Sequence, residues 1–76
     1  MKGTNMTATQ MIDKNGMDIE IDSNVSVPYP NELSNDTWLR AFVGTVIDAD
    51  EDDGVISVAD KNGECFYIEP HRVEVV

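Results

Sequence analysis

The tetrapeptide Asp-Lys-Asn-Gly at residues 60–63 constrains the fold most, because it lies between two segments with strand character. The preceding segment, 55–59 (VISVA), and the following segment, 64–68 (ECFYI), are short and rich in β-branched and aromatic residues. Asn-Gly favours a tight hairpin turn, because both residues adopt positive φ at low cost. The sequence therefore predicts a β-hairpin whose turn is at 60–63.

The same tetrapeptide occurs at residues 13–16, where its flanks are weaker. It predicts a second turn, followed by a half-buried strand over 17–22 (MDIEID), in which apolar and acidic residues alternate. We expect residues 1–17 to form a flexible N-terminal tail that contains this candidate turn. The folded domain is then expected to span residues 18–76.

Two further strands are predicted in the middle of the chain. The segment 24–28 (NVSVP) alternates, and Pro28 ends it by removing a backbone donor. Residues 29–37 have the composition of a surface loop. The longest apolar segment, 38–49 (WLRAFVGTVIDA), is expected to be a strand because of its β-branched residues, with Gly44 marking a bend or a close backbone approach.

The C-terminal residues complete the predicted fold. Residues 69–72 (EPHR) form a proline-fixed turn, and residues 73–76 form a short last strand. This order predicts an all-β domain: a small SH3-like barrel of five or six short strands with a single helical turn before the last strand. Alternation predicts twelve inward apolar side chains: Ile19, Ile21, Val25, Val27, Phe42, Val46, Ile56, Val58, Phe66, Ile68, Val73 and Val75.

Composition narrows the classes of function. The 76 residues suffice for one domain, and a single Cys and a single His exclude an intramolecular disulfide or a zinc centre. No apolar run reaches membrane-span length, so we expect a cytoplasmic protein without a membrane partner. The formal net charge of −10 disfavours direct binding to nucleic acid, which needs clustered cations. No cofactor is expected.

Three segments carry a resemblance to a known group of proteins. Residues 25–30 (VSVPYP), 42–46 (FVGTV) and 56–73 (ISVADKNGECFYIEPHRV) are similar to short, acidic SH3-like proteins encoded by bacteriophages and integrated elements. The shared positions are core and turn positions, so the resemblance implies the barrel fold. That family is largely uncharacterised, and the resemblance implies no catalytic residues.

The strongest local charge lies in residues 48–54 (DADEDDG), where five of the first six residues are acidic. An EF-hand calcium loop that started at Asp48 would place Asp53 where glycine is required and Ala59 where glutamate is required. No metal site is therefore predicted. The segment is either a solvated turn or an acidic recognition surface made of Asp48, Asp50, Glu51, Asp52 and Asp53.

Three aromatic residues are the other binding candidates. Tyr67 alternates with the inward-facing Phe66 and Ile68, so its ring is expected to face solvent. Trp38 either covers one end of the barrel or joins Tyr29 and Tyr67, beside the acidic segment, in a groove for a basic or proline-containing peptide.

Catalysis has little support, because Cys65 and His71 show no spacing that defines a nucleophile and its base. We therefore predict a small acidic non-enzymatic module that recognises a protein or peptide partner. Two alternatives remain: a nucleic-acid mimic that occupies the basic groove of a host enzyme, and a structural component that pairs through a strand edge.

Overall fold

Hydrogen bonding between the apolar segments forms one antiparallel sheet. The computed structural model describes residues 11–76. The strands are β1 (Asn24–Val27), β2 (Phe42–Asp50), β3 (Val55–Ala59), β4 (Cys65–Ile68) and β5 (Glu74–Val75). A 3-10 turn, Pro70–Arg72, precedes β5. The predicted all-β class and the helical turn before the last strand are confirmed.

The strand order in the sheet is β4-β3-β2-β1-β5, and every neighbouring pair is antiparallel. The sheet wraps around one apolar cluster to which the strands on both sides of β2 contribute. Because β4 and β5 are the two edges, the barrel is open rather than closed by a continuous hydrogen-bond ladder.

Most of the predicted core is confirmed. Nine of the twelve side chains are buried, Phe42 and Val75 are partly buried, and Ile21 is 52% exposed. Ile21 was expected inside because 17–22 was expected to be a strand, and that prediction is wrong. The chain turns at Ile21 and Asp22, where Asp22 has φ of +76°, and only an isolated bridge joins Ile12 to Asp18.

The predicted hairpin turn at 60–63 is confirmed between β3 and β4. The Asp60 Oδ1 atom accepts backbone N–H groups from Asn62 and Glu64, both at 2.9 Å. The Asp60 N–H donates to the Glu64 carbonyl at 2.8 Å, and Gly63 has φ of +82°. The aspartate that starts the tetrapeptide therefore holds the turn with its side chain, while glycine supplies the left-handed residue.

The first Asp-Lys-Asn-Gly folds in the same way. The Asp13 Oδ1 atom accepts the N–H groups of Asn15 (2.9 Å) and Met17 (2.7 Å), and Gly16 has φ of +83°. Here, however, the second carboxylate oxygen has a long-range partner: Oδ2 accepts the N–H of Val75 in β5 at 2.8 Å. The Asp13 side chain thus covers part of an otherwise open strand edge.

Residues 11–17 consequently belong to the folded domain rather than to a tail. The Lys14 N–H donates to the Val73 carbonyl at 3.0 Å, the Asn15 side chain donates to Glu74 at 2.9 Å, and Met11 packs against the core. The domain therefore begins at or before Met11. The remainder of the predicted tail, residues 1–10, lies outside the described residues.

The two equivalent turns provide a matched test of this edge contact. We expect Asp13→Ala to lower the urea midpoint of unfolding more than Asp60→Ala, because only Asp13 also satisfies a backbone donor of β5. Burial raises the pKa of Asp13, but its backbone N–H partners outweigh burial and lower it overall. Equal losses in the two variants would contradict a role for Asp13 beyond its turn.

Candidate functional site

On the solvent-facing side of β2, β3 and β4, an acidic and an aromatic side chain lie in one cross-strand row. Asp48 pairs with Ser57, and Ser57 pairs with Tyr67. Paired residues point to the same side of a sheet, and neighbouring strands lie about 4.8 Å apart. Tyr67 is 70% exposed, as alternation predicts, and Asp48 is also exposed, whereas Ser57 between them is only 9% exposed. We call this row with its exposed neighbour Ile47 the outward face.

A β-bulge in β2 creates this arrangement. The register with β3 shifts between Val46 and Asp48, so Ile47 is the extra residue. Val46 is buried, whereas Ile47 and Asp48 are both exposed. Without the bulge, strict alternation from Val46 would turn Asp48 toward the core. The bulge therefore keeps the carboxylate in solvent and adds an exposed apolar side chain beside it.

The acidic segment continues from this face into the β2–β3 turn. The Asp50 Oδ1 atom accepts the N–H groups of Asp52 (3.0 Å) and Asp53 (3.1 Å), and the Gly54 N–H donates to the Asp50 carbonyl at 2.8 Å. The turn is therefore held by its own first residue. All five acidic candidates are exposed. Within residues 11–76, no group of three or more potential metal ligands converges on one point.

The three aromatic candidates do not form one groove. Tyr29 is 71% exposed in the loop after β1. Trp38 is only 4% exposed, its Nε1 donates to the Pro28 carbonyl at 2.8 Å, and its ring meets the inward-facing Phe66 edge-on at 6.0 Å. Trp38 therefore lies on the core side of the sheet, whereas Tyr67 lies on the opposite side. The interpretation in which Trp38 covers one end of the barrel agrees with this geometry.

Arg72 holds the long β1–β2 loop against the 3-10 turn. Its guanidinium donates to both carboxylate oxygens of Asp36, at 3.0 and 2.7 Å, and to Glu69 at 3.1 Å. Its Cζ lies 5.5 Å from the Trp38 ring centroid, within cation–π range. The sequence predicts local pairing of Arg72 with Glu69, Glu74 or a backbone carbonyl, but no local pattern indicates Asp36, which lies 36 residues away.

This ion pair makes stability depend on acid pH. The Arg72 hydrogen bond holds the pKa of Asp36 well below its usual value near 3.8, and burial opposes this shift only in part. A carboxylate with a depressed pKa stabilises the fold above its unfolded-state pKa, and this stabilisation is lost as pH falls through the folded-state pKa. Unfolding free energy should therefore decline below about pH 4.

We expect Asp36→Asn to cost about 2 kcal/mol at pH 7, between the values typical of exposed and buried pairs. The variant should also show a flatter pH dependence below pH 4 in urea titrations. Glu69→Gln is the matched control, because Glu69 contacts the same guanidinium but is half-exposed. Equal costs for the two variants would show that Asp36 has no special role.

The fold and the outward face together define a small all-β domain with an acidic, aromatic-bearing surface. No protein-family model matches the chain, and no curated protein or solved structure matches it either. Among the described residues, no helix has the length and apolar character needed to cross a membrane. The functional argument therefore depends on the surface chemistry of this chain.

Proposed function

We propose that this protein is a non-enzymatic binding module whose outward face recognises a basic protein or peptide. The observation that carries the proposal is the row Asp48–Ser57–Tyr67, in which an exposed carboxylate on β2 and an exposed ring on β4 flank the buried Ser57 of the intervening strand β3. A lysine or arginine side chain can contact the ring face and a carboxylate at the same time. Paired strands also preorganise the site, which lowers the entropic cost of binding.

The charge of the protein supports the same partner chemistry. The net charge is −10, and the acidic β2–β3 turn extends the carboxylates beyond the sheet. Such a field accelerates encounter with a cationic partner and disfavours anionic ones. The exposed Ile47 adds apolar contact area next to the charges. From the resemblance noted above, we further propose that the protein is encoded by a phage or integrated element and acts in the cytoplasm.

The hydrogen-bonded acidic turn also favours a second candidate function, mimicry of a nucleic acid. Exposed carboxylates at residues 50–53 on an ordered turn could occupy the basic groove of a nucleic-acid-binding enzyme. This function needs the carboxylates but not the aromatic ring. The two proposals therefore differ in what they predict for Tyr67.

A defined cationic peptide tests the proposal. We expect acetyl-Lys-Leu-Lys-Leu-Lys-amide to bind in calorimetry at low salt, and Tyr67→Ala and Asp48→Asn each to weaken binding about fivefold, a change of about 1 kcal/mol. Tyr29→Ala is the matched control, because it removes an equally exposed tyrosine ring outside the β2–β4 sheet face.

The outcomes separate the alternatives. Binding that depends on residues 50–53 but not on Tyr67 would favour mimicry of a nucleic acid. Equal losses in Tyr29→Ala and Tyr67→Ala would contradict a site on the outward face. Binding should also weaken as salt increases from about 50 to 300 mM, because exposed charge pairs are screened.

A further inference from the structure

The two Asp-Lys-Asn-Gly turns form a matched pair of chemically reactive sites. In each turn an exposed asparagine precedes a glycine with positive φ, +83° at Gly16 and +82° at Gly63, and the space around both glycine Cα atoms is open. Asparagine is one of the thermally labile residues. It is most reactive before glycine, because glycine has no Cβ atom to hinder attack by its backbone nitrogen on the preceding side chain.

The backbone around the two asparagines is alike. The Gly16 N–H donates to the Asp13 carbonyl at 3.1 Å, and the Gly63 N–H donates to the Asp60 carbonyl at 3.0 Å. The glycine nitrogen must leave this hydrogen bond before it reacts, so both turns slow the reaction by a similar factor. Local sequence and backbone geometry therefore do not separate the two asparagines.

The two asparagine side chains differ in their contacts. The Asn15 Nδ2 atom donates to Glu74 Oε2 in β5 at 2.9 Å. The neighbouring Lys14 N–H donates to the Val73 carbonyl at 3.0 Å, so this turn is also tied to the C-terminal segment through its backbone. Among residues 11–76, the Asn62 side chain has no hydrogen-bond partner, and only its backbone N–H is held. The Asn62 amide can therefore rotate into position for attack, whereas the Asn15 amide is held.

We propose that Asn62 is a site of spontaneous deamidation and that the Glu74 contact protects Asn15 in the matching turn. The Gly63 nitrogen forms a bond to Cγ of Asn62 as it loses its proton to solvent, and the Cγ–Nδ2 bond breaks with release of ammonia. One water molecule then opens the resulting succinimide ring at either carbonyl and leaves aspartate or isoaspartate at residue 62. Water is the only co-reactant, and nothing is oxidised or reduced.

Both products change the hairpin between β3 and β4. Each adds a negative charge to a segment that already contains Asp60 and Glu64. Isoaspartate also inserts one methylene group into the backbone between residues 62 and 63, whereas Asp60 Oδ1 accepts the N–H groups on both sides of that point, from Asn62 and Glu64. The isoaspartate form should therefore lose part of this turn. The proposal concerns the turn alone and does not depend on recognition of a basic partner.

The test is to incubate the whole chain at mildly alkaline pH, where the glycine N–H loses its proton more readily, and to follow both sites by mass spectrometry of proteolytic fragments. Chromatography separates aspartate from isoaspartate. In the folded protein we expect Asn62 to convert about fivefold faster than Asn15, the ratio typical of one hydrogen bond. In urea the two rates should become similar, because the two residues before each asparagine and the glycine after it are identical.

Glu74→Ala tests the protecting contact. It removes the acceptor of the Asn15 amide, so Asn15 should convert about fivefold faster, while the rate at Asn62 stays unchanged as an internal reference. Glu74→Gln is the matched control, because it retains an acceptor oxygen and should keep Asn15 slow. Fluorescence of Trp38 shows which samples are folded.

Three results would overturn the proposal. The first is conversion of Asn15 in the folded wild type at or above the rate of Asn62. The second is an unreacted Asn62 in the folded protein over the time in which the urea-unfolded protein converts fully. The third is an unchanged Asn15 rate in folded Glu74→Ala. The first two need no variant, so they decide the proposal even if Glu74→Ala does not fold.

Discussion

Replacing Phe66 by alanine is expected to destabilise the domain by about 3–5 kcal/mol. Because a domain of this size is only marginally stable, most of the Phe66→Ala molecules should then be unfolded. Phe66 is buried in β4, and its ring contacts both Trp38 and Phe42. Removing it leaves a cavity at the centre of this three-ring cluster, and the neighbouring rings lose their contacts. The sole tryptophan, Trp38, allows unfolding in urea to be followed by fluorescence.

Tyr67→Ala is the matched control for this prediction. Tyr67 is the next residue of the same strand, but its ring faces solvent, so its loss should cost less than about 1 kcal/mol. A loss of less than 1 kcal/mol in Phe66→Ala would contradict the core described here. A comparable loss in both variants would mean that strand propensity, rather than burial, determines stability in β4.

The second large effect is expected for Gly44→Ala in β2. A Cβ atom at this position would lie 2.6 Å from the Ala59 carbonyl oxygen and 2.6 Å from Val58 Cγ1. The carbonyl belongs to the backbone of β3, so the strand itself would have to move. We expect a cost of about 3 kcal/mol, at the upper end of the range for overpacked cores. Urea titration measures it.

Gly63→Asn separates this steric effect from backbone conformation. Gly63 has φ of +82° and open space around its Cα atom, so asparagine, which tolerates positive φ, should be accepted with a small loss. Gly44→Asn should be at least as damaging as Gly44→Ala. If Gly44→Ala unfolds at the same urea concentration as the wild type, the close approach of β2 and β3 at Gly44 is wrong.

Local sequence patterns predict most of the strands, because the position of each strand is determined by residues that are close in sequence. The hairpin at 60–63 follows from turn chemistry between two strand segments, and β1 ends at Val27, directly before Pro28, as the proline predicts. The close approach at Gly44 was one of the two roles predicted for that glycine. Most of the core also follows from alternation, because one face of each strand must be buried.

The errors arise where distant residues determine the structure. The first Asp-Lys-Asn-Gly predicts a turn, but not that its aspartate accepts the Val75 N–H 62 residues later. The expected strand at 17–22 fails because the chain turns at Asp22, whose N–H donates to the carbonyl of Val46 in β2. No short-range pattern could indicate either contact.

The candidate site is only partly predictable, because some of its features depend on local sequence and others on contacts between distant residues. The outward orientation of Tyr67 follows from alternation with Phe66, and the exposure of the acidic turn follows from its composition. The bulge at Ile47, which turns Asp48 into the row with Tyr67, depends on the register with β3. Trp38 was ambiguous because its partners, Phe66 and the Pro28 carbonyl, are brought to it only by folding.

The most direct test of the proposed function is a chemical-shift map of the ¹⁵N-labelled protein titrated with acetyl-Lys-Leu-Lys-Leu-Lys-amide. We predict that the largest saturable shifts lie at Ile47, Asp48, Ser57 and Tyr67 and extend into residues 50–53. They should diminish as salt is added. Shifts confined to the loop around Tyr29 or to residues 37–43, with the amides of Asp48 and Tyr67 unchanged at saturation, would contradict recognition of a basic partner by the outward face.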